Sequence, residues 1–252
     1  MKLSFVIPAY NEEACVGKCL SSVLREKERS GLDVEVVVVN NNSTDRTKDV
    51  ALSFPSVSVV DEPQKGIVRA RQAGYRAAHG DIIANVDADN ILPDGWIKRA
   101  FREFSENSDL VALSGPVIYY DLSRIVNMQV RLFYRLGYAA NLFNRHVLKK
   151  GAMLQGGNFV VRKSALDAVG GFDTSIDFYG EDTDIACRMS EIGNVKFSFS
   201  FPIYSSGRRL AEEGIFSTGC RYAVNYLWTV CFHRPFTETS TDIRPGGHRR
   251  EF

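Results

Sequence analysis

Five short apolar runs, each followed by a polar cluster or an amphipathic stretch, constrain this chain more than any other feature. They are "LSFVI" (residues 3–7), "VEVVVV" (34–39), "VSVV" (57–60), "DIIANV" (81–86) and "LVALSGPVIYY" (110–120). Between them lie "EEACVGKCLSSVLREKE", "STDRTKDVALSF", "GIVRARQAGYRAA" and "DGWIKRAFREFSEN", whose apolar residues recur at helical spacing. Strands that are apolar on both faces need cover on both faces. Alternation with helices therefore points to an α/β fold with a mostly parallel sheet flanked by helices. Ser43 or Thr44 is the expected N-cap of the second helix, and Asn11 with Glu12 would suit the start of the first.

The second half is less regular. Residues 123–150 read as helical, and "GGNFVVRKSALDAVGGFD" reads as a strand and a short helix. "EDTDIACRMSEIG" is a helix, "VKFSFSF" a strand, and residues 208–232 a final helical region. The halves 1–118 and 119–236 are expected to share one sheet in a single domain, with 237–252 as a polar tail.

The net charge of +1 gives no global field for nucleic acid, so no nucleic-acid partner is expected. The five cysteines are scattered, with no zinc spacing, which suits reduced thiols in the cytoplasm. The opening "MKLSFVIPAYNEE" lacks the form of a signal peptide, and no window of about 18 apolar residues suggests a membrane span. Residues 125–150 and 214–236 carry aromatic residues and leucine beside Arg and Lys. Such segments form core or dimer faces, or lie on a membrane surface, so peripheral contact with the inner face of the membrane stays open. The oligomeric state is not legible.

Three polar clusters fall at the carboxyl ends of expected parallel strands, where open α/β sheets bind ligands. "PAYNEE" follows the first strand, "NNNSTD" the second and "DADN" the run at 81–86. Asp87 and Asp89 lie two apart and would point to one side of an extended chain. Two hard carboxylates suit Mg²⁺ or Mn²⁺, with further positions left for substrate phosphates. No GxGxxG or GxxxxGK[ST] is present, so phosphates fall to a metal and to side chains such as Lys65 and Arg71. "SSGRRLAEEG" adds Arg208 and Arg209, which either contact a phosphate or form a solvated face.

The elements "VIPAYNEE", "VVVVNNNSTD", "KGIVRARQAG", "GDIIANVDADN", "GGFD" and "GEDTDIACR" occur in that order. Together they resemble family 2 glycosyltransferases of the GT-A fold, over roughly residues 3 to 190. The resemblance implies a Rossmann-like sheet with a helical C-terminal region. It also implies a donor half (1–118) and an acceptor half (119–236). Pro8, Ala9, Tyr10 and Glu12 match the nucleoside loop, and Asn40 the residue touching the base, with Asn42 beside it. Asp87 matches the residue reaching the ribose and sugar, Asp89 the metal ligand and Asp182 the catalytic base. Gly157 and Asn158 match the acceptor side, where Glu181 stands beside Asp182. Asn40 replaces the aspartate common in the family. "TGCRY" keeps only the Arg of the processive motif, so a non-processive enzyme is expected.

The implied reaction is metal-dependent, inverting transfer from a nucleotide-sugar, a UDP-sugar first and a GDP-sugar second, to a sugar or lipid-linked acceptor. Two alternatives stand beside this reading. A sugar-1-phosphate nucleotidyltransferase would want a Gly-rich basic loop after the first strand. A non-catalytic nucleotide-sugar-binding protein would not need Asp87, Asp89 and Asp182 together.

Overall fold

A computed structural model describes residues 1–144, 152–232 and 235–237. The first strands and helices alternate as expected: β1 (Leu3–Ala9), α1 (Val16–Ser30), β2 (Val34–Asn40), α2 (Thr47–Leu52), β3 (Val57–Asp61), α3 (Ile67–Ala77), β4 (Ile82–Val86) and α4 (Trp96–Glu106). Then come β5 (Leu110–Ser114), β6 (Val117–Tyr119), α5 (Arg124–Phe143), β7 (Asn158–Arg162), α6 (Lys163–Ala168) and α7 (Glu181–Ser190). The chain continues through β8 (Asn194–Phe197), β9 (Ile203–Ser205), α8 (Arg208–Glu213) and α9 (Ile215–Phe232).

Seven strands form one sheet in the order β3-β2-β1-β4-β7-β5-β8. Every pairing is parallel except those of β7, which runs antiparallel to both β4 and β5. The chain builds outward from β1 to β3 and then returns to the other flank of β1 with β4. The ends of β1 and β4 therefore border a topological switch point, where such sheets leave a crevice. β1 is buried along its whole length, and its alternate residues serve different layers. Phe5 and Ile7 pack with α1 and α4, while Val6 packs with residues of α3 and α7.

"LVALSGPVIYY" is not one strand. It breaks at Gly115-Pro116, and β6 leaves the main sheet to pair with β9. A Cβ on Gly115 would lie 1.9 Å from the carbonyl oxygen of Phe201, so only glycine permits that crossing. "VKFSFSF" likewise ends as a strand at Phe197. The expected helix caps also differ. α1 starts at Val16, with the backbone carbonyl of Glu12 accepting from the amides of Cys15 and Val16. Before α2 it is Asp45, not Ser43 or Thr44, that accepts from the amide of Thr47, at 2.9 Å. Ser43 instead accepts from the amide of Asn11, at 3.2 Å. Of the helix expected over 123–150, residues 124–143 are helical, and 145–150 lie outside the described residues. The polar tail is likewise outside them, except Thr237.

Candidate active site

The carboxyl end of β4 is shaped by glycine. Asp87 turns back over Gly157, whose φ is 78°. A Cβ there would lie 2.2 Å from Asp87 Oδ2. Asn90 secures the same turn by donating to the carbonyl of Gly157 at 2.6 Å. Gly156, the preceding residue, donates its amide to Asp182 Oδ2 at 3.0 Å. One Gly-Gly pair before β7 thus brings the end of β4 and the start of α7 together.

Asp87, Asn90, Gly156 and Asp182 line a cavity of about 660 Å³ that runs from Pro8 and Glu12, past Asp87 and Asp89, to α5 and α9. Of the residues singled out in the sequence, Pro8, Glu12, Arg71, Asp87, Asp89, Glu181, Asp182, Arg208 and Arg209 share this wall. Two guanidiniums organise it. Arg71 is fully buried and bridges Asp87, at 3.2 Å, to Glu181. Arg208 forks onto both oxygens of Glu12, at 2.9 and 2.5 Å, and reaches Asp89 Oδ2 at 3.1 Å. Arg209 is taken up by Glu213 at 3.0 Å.

Among the described residues, Arg71 and Arg208 are the guanidiniums seen to pair with Glu12, Asp87, Asp89 and Glu181, and Asp182 shares the same wall. Five carboxylates share this wall, and burial adds to the strain of keeping them charged. Burial pushes Asp89 up to about 7, with Arg208 opposing and Asp87 and Glu12 adding to the rise. Burial also pushes Glu181 up to about 7 against the pull of Arg71. Asp182 is raised by burial too, although the amides of Gly156 and Thr183 hold its charged form. Arg71 Nε and Glu181 Oε2 are buried without a hydrogen-bond partner among the described residues. Among the described residues no group of three His, Cys, Asp or Glu is spaced to hold a metal alone. The donor set nevertheless fits a hard cation that takes two carboxylates and completes its shell from a ligand, and an excess of negative charge attracts one.

Other expected residues lie outside the cavity wall. Asn40 is buried, donating to Asp61 Oδ1 at 2.8 Å and accepting from the Ser43 amide at 3.3 Å. Asn42 is exposed with φ 57°. Ala9 is buried at the end of β1, and Lys65 reaches the Tyr10 hydroxyl at 2.5 Å. Asn158 is fully buried and braces the crossing below the site, donating to the carbonyls of Gly115 and Phe201 at 3.0 and 2.9 Å. Gly157 acts by seating Asp87.

The model of the family described as "Glycosyl transferase family 2" matches residues 4–170. The chain belongs to glycosyl transferase family 2.

Among family 2 relatives, it is 27% identical over 208 residues to the probable glycosyltransferase YdaM of Bacillus subtilis (strain 168), covering 76% of this chain and 47% of that protein. The chain thus spans about half the length of that relative. Glucosyl-3-phosphoglycerate synthase from Mycobacterium tuberculosis, solved with Mn²⁺, UDP and phosphoglyceric acid, has a TM-score of 0.63 at 20% identity, with 92% of this chain and 78% of that one covered. The mannosyltransferase PcManGT from Pyrobaculum calidifontis, solved with GDP-Man and Mn²⁺, has a TM-score of 0.63 at 21% identity, covering 81% and 56%. These likenesses establish the GT-A fold expected from the motifs. Sequence reading of this family 2 chain missed the aromatic wall of the cavity, Tyr119, Tyr134, Tyr179 and Tyr222. For Tyr134 and Tyr222 the signal was the recurrence of aromatic residues at helical spacing in residues 125–150 and 214–236, whereas Tyr119 and Tyr179 lie outside both segments.

Proposed function

We propose that this chain transfers a sugar from a nucleoside-diphosphate donor to an acceptor hydroxyl, with inversion and without processivity, using Mg²⁺ or Mn²⁺. The observation that carries the reading is the placement of Asp87 and Asp89 at the β1/β4 switch point with Asp182 on the same cavity. The bond between the anomeric carbon and the phosphate oxygen breaks, and that oxygen keeps the electron pair. The acceptor oxygen bonds to the anomeric carbon from the opposite face and gives its proton to a base.

Asp182 suits the base. Its raised pKa makes it a stronger proton acceptor than an ordinary carboxylate, and the Gly156 and Thr183 amides fix its orientation. Asp87 and Asp89 would hold the cation, which supplies charge neutralisation to the leaving diphosphate when bound. Arg208 would exchange its contact with Asp89 for one with a phosphate, a change of partner that suits a guanidinium. Arg71 keeps Asp87 and Glu181 in place rather than reaching the donor. The first half (1–118) then carries the donor and the second (119–236) the acceptor. The UDP and GDP-Man bound in similar structures support a nucleoside-diphosphate donor, and the reading puts a UDP-sugar first and a GDP-sugar second.

The test is turnover of UDP-glucose, UDP-N-acetylglucosamine and GDP-mannose with Mn²⁺ or Mg²⁺, with the product anomer read by NMR. Metal-dependent release of nucleoside diphosphate and an inverted product are expected. A retained anomer would refute the assigned base, and pyrophosphate-dependent cleavage to a nucleoside triphosphate and a sugar 1-phosphate would point to the nucleotidyltransferase reading.

A further inference from the structure

α5 and α9 are turned inside out. On α5, Ile125, Met128, Leu132, Leu136 and Phe143 recur at helical spacing and are between 57% and 66% exposed. On α9, Phe216, Val224 and Leu227 are between 43% and 71% exposed, while Thr218, Asn225 and Thr229 are buried with Val230. A helix on a wetted surface does the opposite, since each exposed apolar side chain forgoes burial and each buried polar one needs a partner. Asn225 finds its partners within the protein. It donates to the Arg221 carbonyl at 2.9 Å and accepts from the amides of Phe236 and Thr237 at 3.0 and 2.9 Å. The two helices are neighbours, with the Tyr226 hydroxyl 3.2 Å from Asn141 Oδ1.

The charges on this face are of one sign. α5 carries Arg124, Arg131 and Arg135, all exposed, and no Asp or Glu from residue 124 to 143. At 100° per residue they form an edge roughly 80° round the helix from the centre of the apolar stripe. An apolar stripe with a cationic edge matches the layering of an anionic bilayer, acyl chains beneath charged headgroups. No helix among the described residues is long and apolar enough to cross a membrane, so a partner surface would be met from one side.

We propose that α5 and α9 dock this protein on an anionic lipid surface. The cavity that holds Asp182 is also lined by Phe133 and Leu136 of α5 and by Ala223 and Leu227 of α9, so it runs between the docking helices. An acceptor anchored in that bilayer would approach Asp182 along this groove, a consequence that rests on the transfer reading. The docking itself does not.

The experiment is co-sedimentation of the full chain with vesicles of phosphatidylcholine, alone or with phosphatidylglycerol added. Sedimentation with the anionic vesicles is expected, weakening as salt rises. Arg131→Glu with Arg135→Glu should weaken it by about tenfold or more, because two attractions become repulsions. Met128→Glu with Val224→Glu should abolish it, while UDP binding and the melting temperature stay near those of the unaltered protein. The proposal is overturned if neither vesicle binds the protein, or if both bind it equally and the substitutions change nothing. It is also overturned if the protein is a dimer in solution that Met128→Glu with Val224→Glu dissociates, since a second copy would then be the occupant. Vesicle binding without nucleotide-sugar turnover would leave the docking surface standing and refute the transfer reading. Turnover without vesicle binding would do the reverse.

Discussion

Arg208 Nη2 lies 3.1 Å from Asp89 Oδ2 while the same guanidinium holds Glu12, so a side chain from α8 closes the carboxylates at the ends of β1 and β4. Three elements distant in sequence meet in that contact. Under the proposed function, a cation taken by Asp89 would compete with Arg208 for the same oxygen.

Arg208→Ala should remove the guanidinium fork on Glu12 and its contact with Asp89. Glu12 is 5% exposed, so the loss should destabilise the metal-free protein by about 3 kcal/mol. Mn²⁺ alone should recover part of it, giving a larger thermal shift than in the unaltered protein. Denaturant midpoints with and without Mn²⁺ check this, and equal shifts in both proteins would refute competition at Asp89.

Asn40→Asp should place a second carboxylate against Asp61, whose pKa is held down by Asn40 and Lys48. A loss of about 1–3 kcal/mol is expected. Adding Asp61→Asn should restore most of it, a coupling that a double-mutant cycle measures. Discrimination between UDP and GDP should not follow the substitution if the side chain stays turned to Asp61. A switch in base preference would show that Asn40 reads the base.

Asp182→Asn should reduce transfer by about 10²–10⁴-fold with donor affinity nearly unchanged. Because burial raises the pKa of Asp182, the protonated, inactive form persists above the ordinary carboxylate range. Transfer should therefore fall as pH is lowered, starting nearer neutrality than an exposed aspartate would allow. Glu181→Gln should act mainly on stability, by weakening the hold on the buried Arg71. Loss of turnover in Glu181→Gln with normal turnover in Asp182→Asn would exchange the two roles.

Glu35 supplies a pH test away from the site. Burial alone would raise its pKa, but hydrogen bonds from Lys2, Ser4 and the His79 amide outweigh it and hold it at about 2. A carboxyl lowered in the folded state stabilises fully above its unfolded pKa, and that contribution is lost as pH falls through the folded value. Glu35→Gln should therefore destabilise by about 1–2 kcal/mol at neutral pH and progressively less from about pH 4 downward. An equal deficit at every pH would contradict the linkage.

The parallel strands β1, β2 and β4 were legible because continuous apolar runs of β-branched residues have no other stable use at that length. The candidate site was legible as far as residues that are neighbours in the chain: Asp87 with Asp89, and the carboxylates opening α7, which line one cavity. What stayed hidden depends on distant backbone. Nothing near Gly115 states that Phe201 will cross it, so one run hid two strands in two sheets. The antiparallel course of β7 has no local signature, since a run buried on both faces looks alike in either direction. Arg208 and Glu12 were both noticed, but only the folded chain joins them. Asn40 was read by its place in a motif, whereas its contacts are set by Asp61 across the β2–β3 pairing.

Calorimetric titration of UDP and GDP, in Mn²⁺ and in chelator, on the unaltered protein and Asp89→Ala tests the central claim most directly. Arg208 keeps its fork to Glu12 in the variant, so the fold should hold and the melting temperature should change little. The expected result is nucleotide binding that requires the metal and is lost in Asp89→Ala. Binding of equal affinity in chelator, or an unchanged metal-dependent affinity in Asp89→Ala, would contradict the assignment of this crevice as a cation-assisted nucleotide-sugar site.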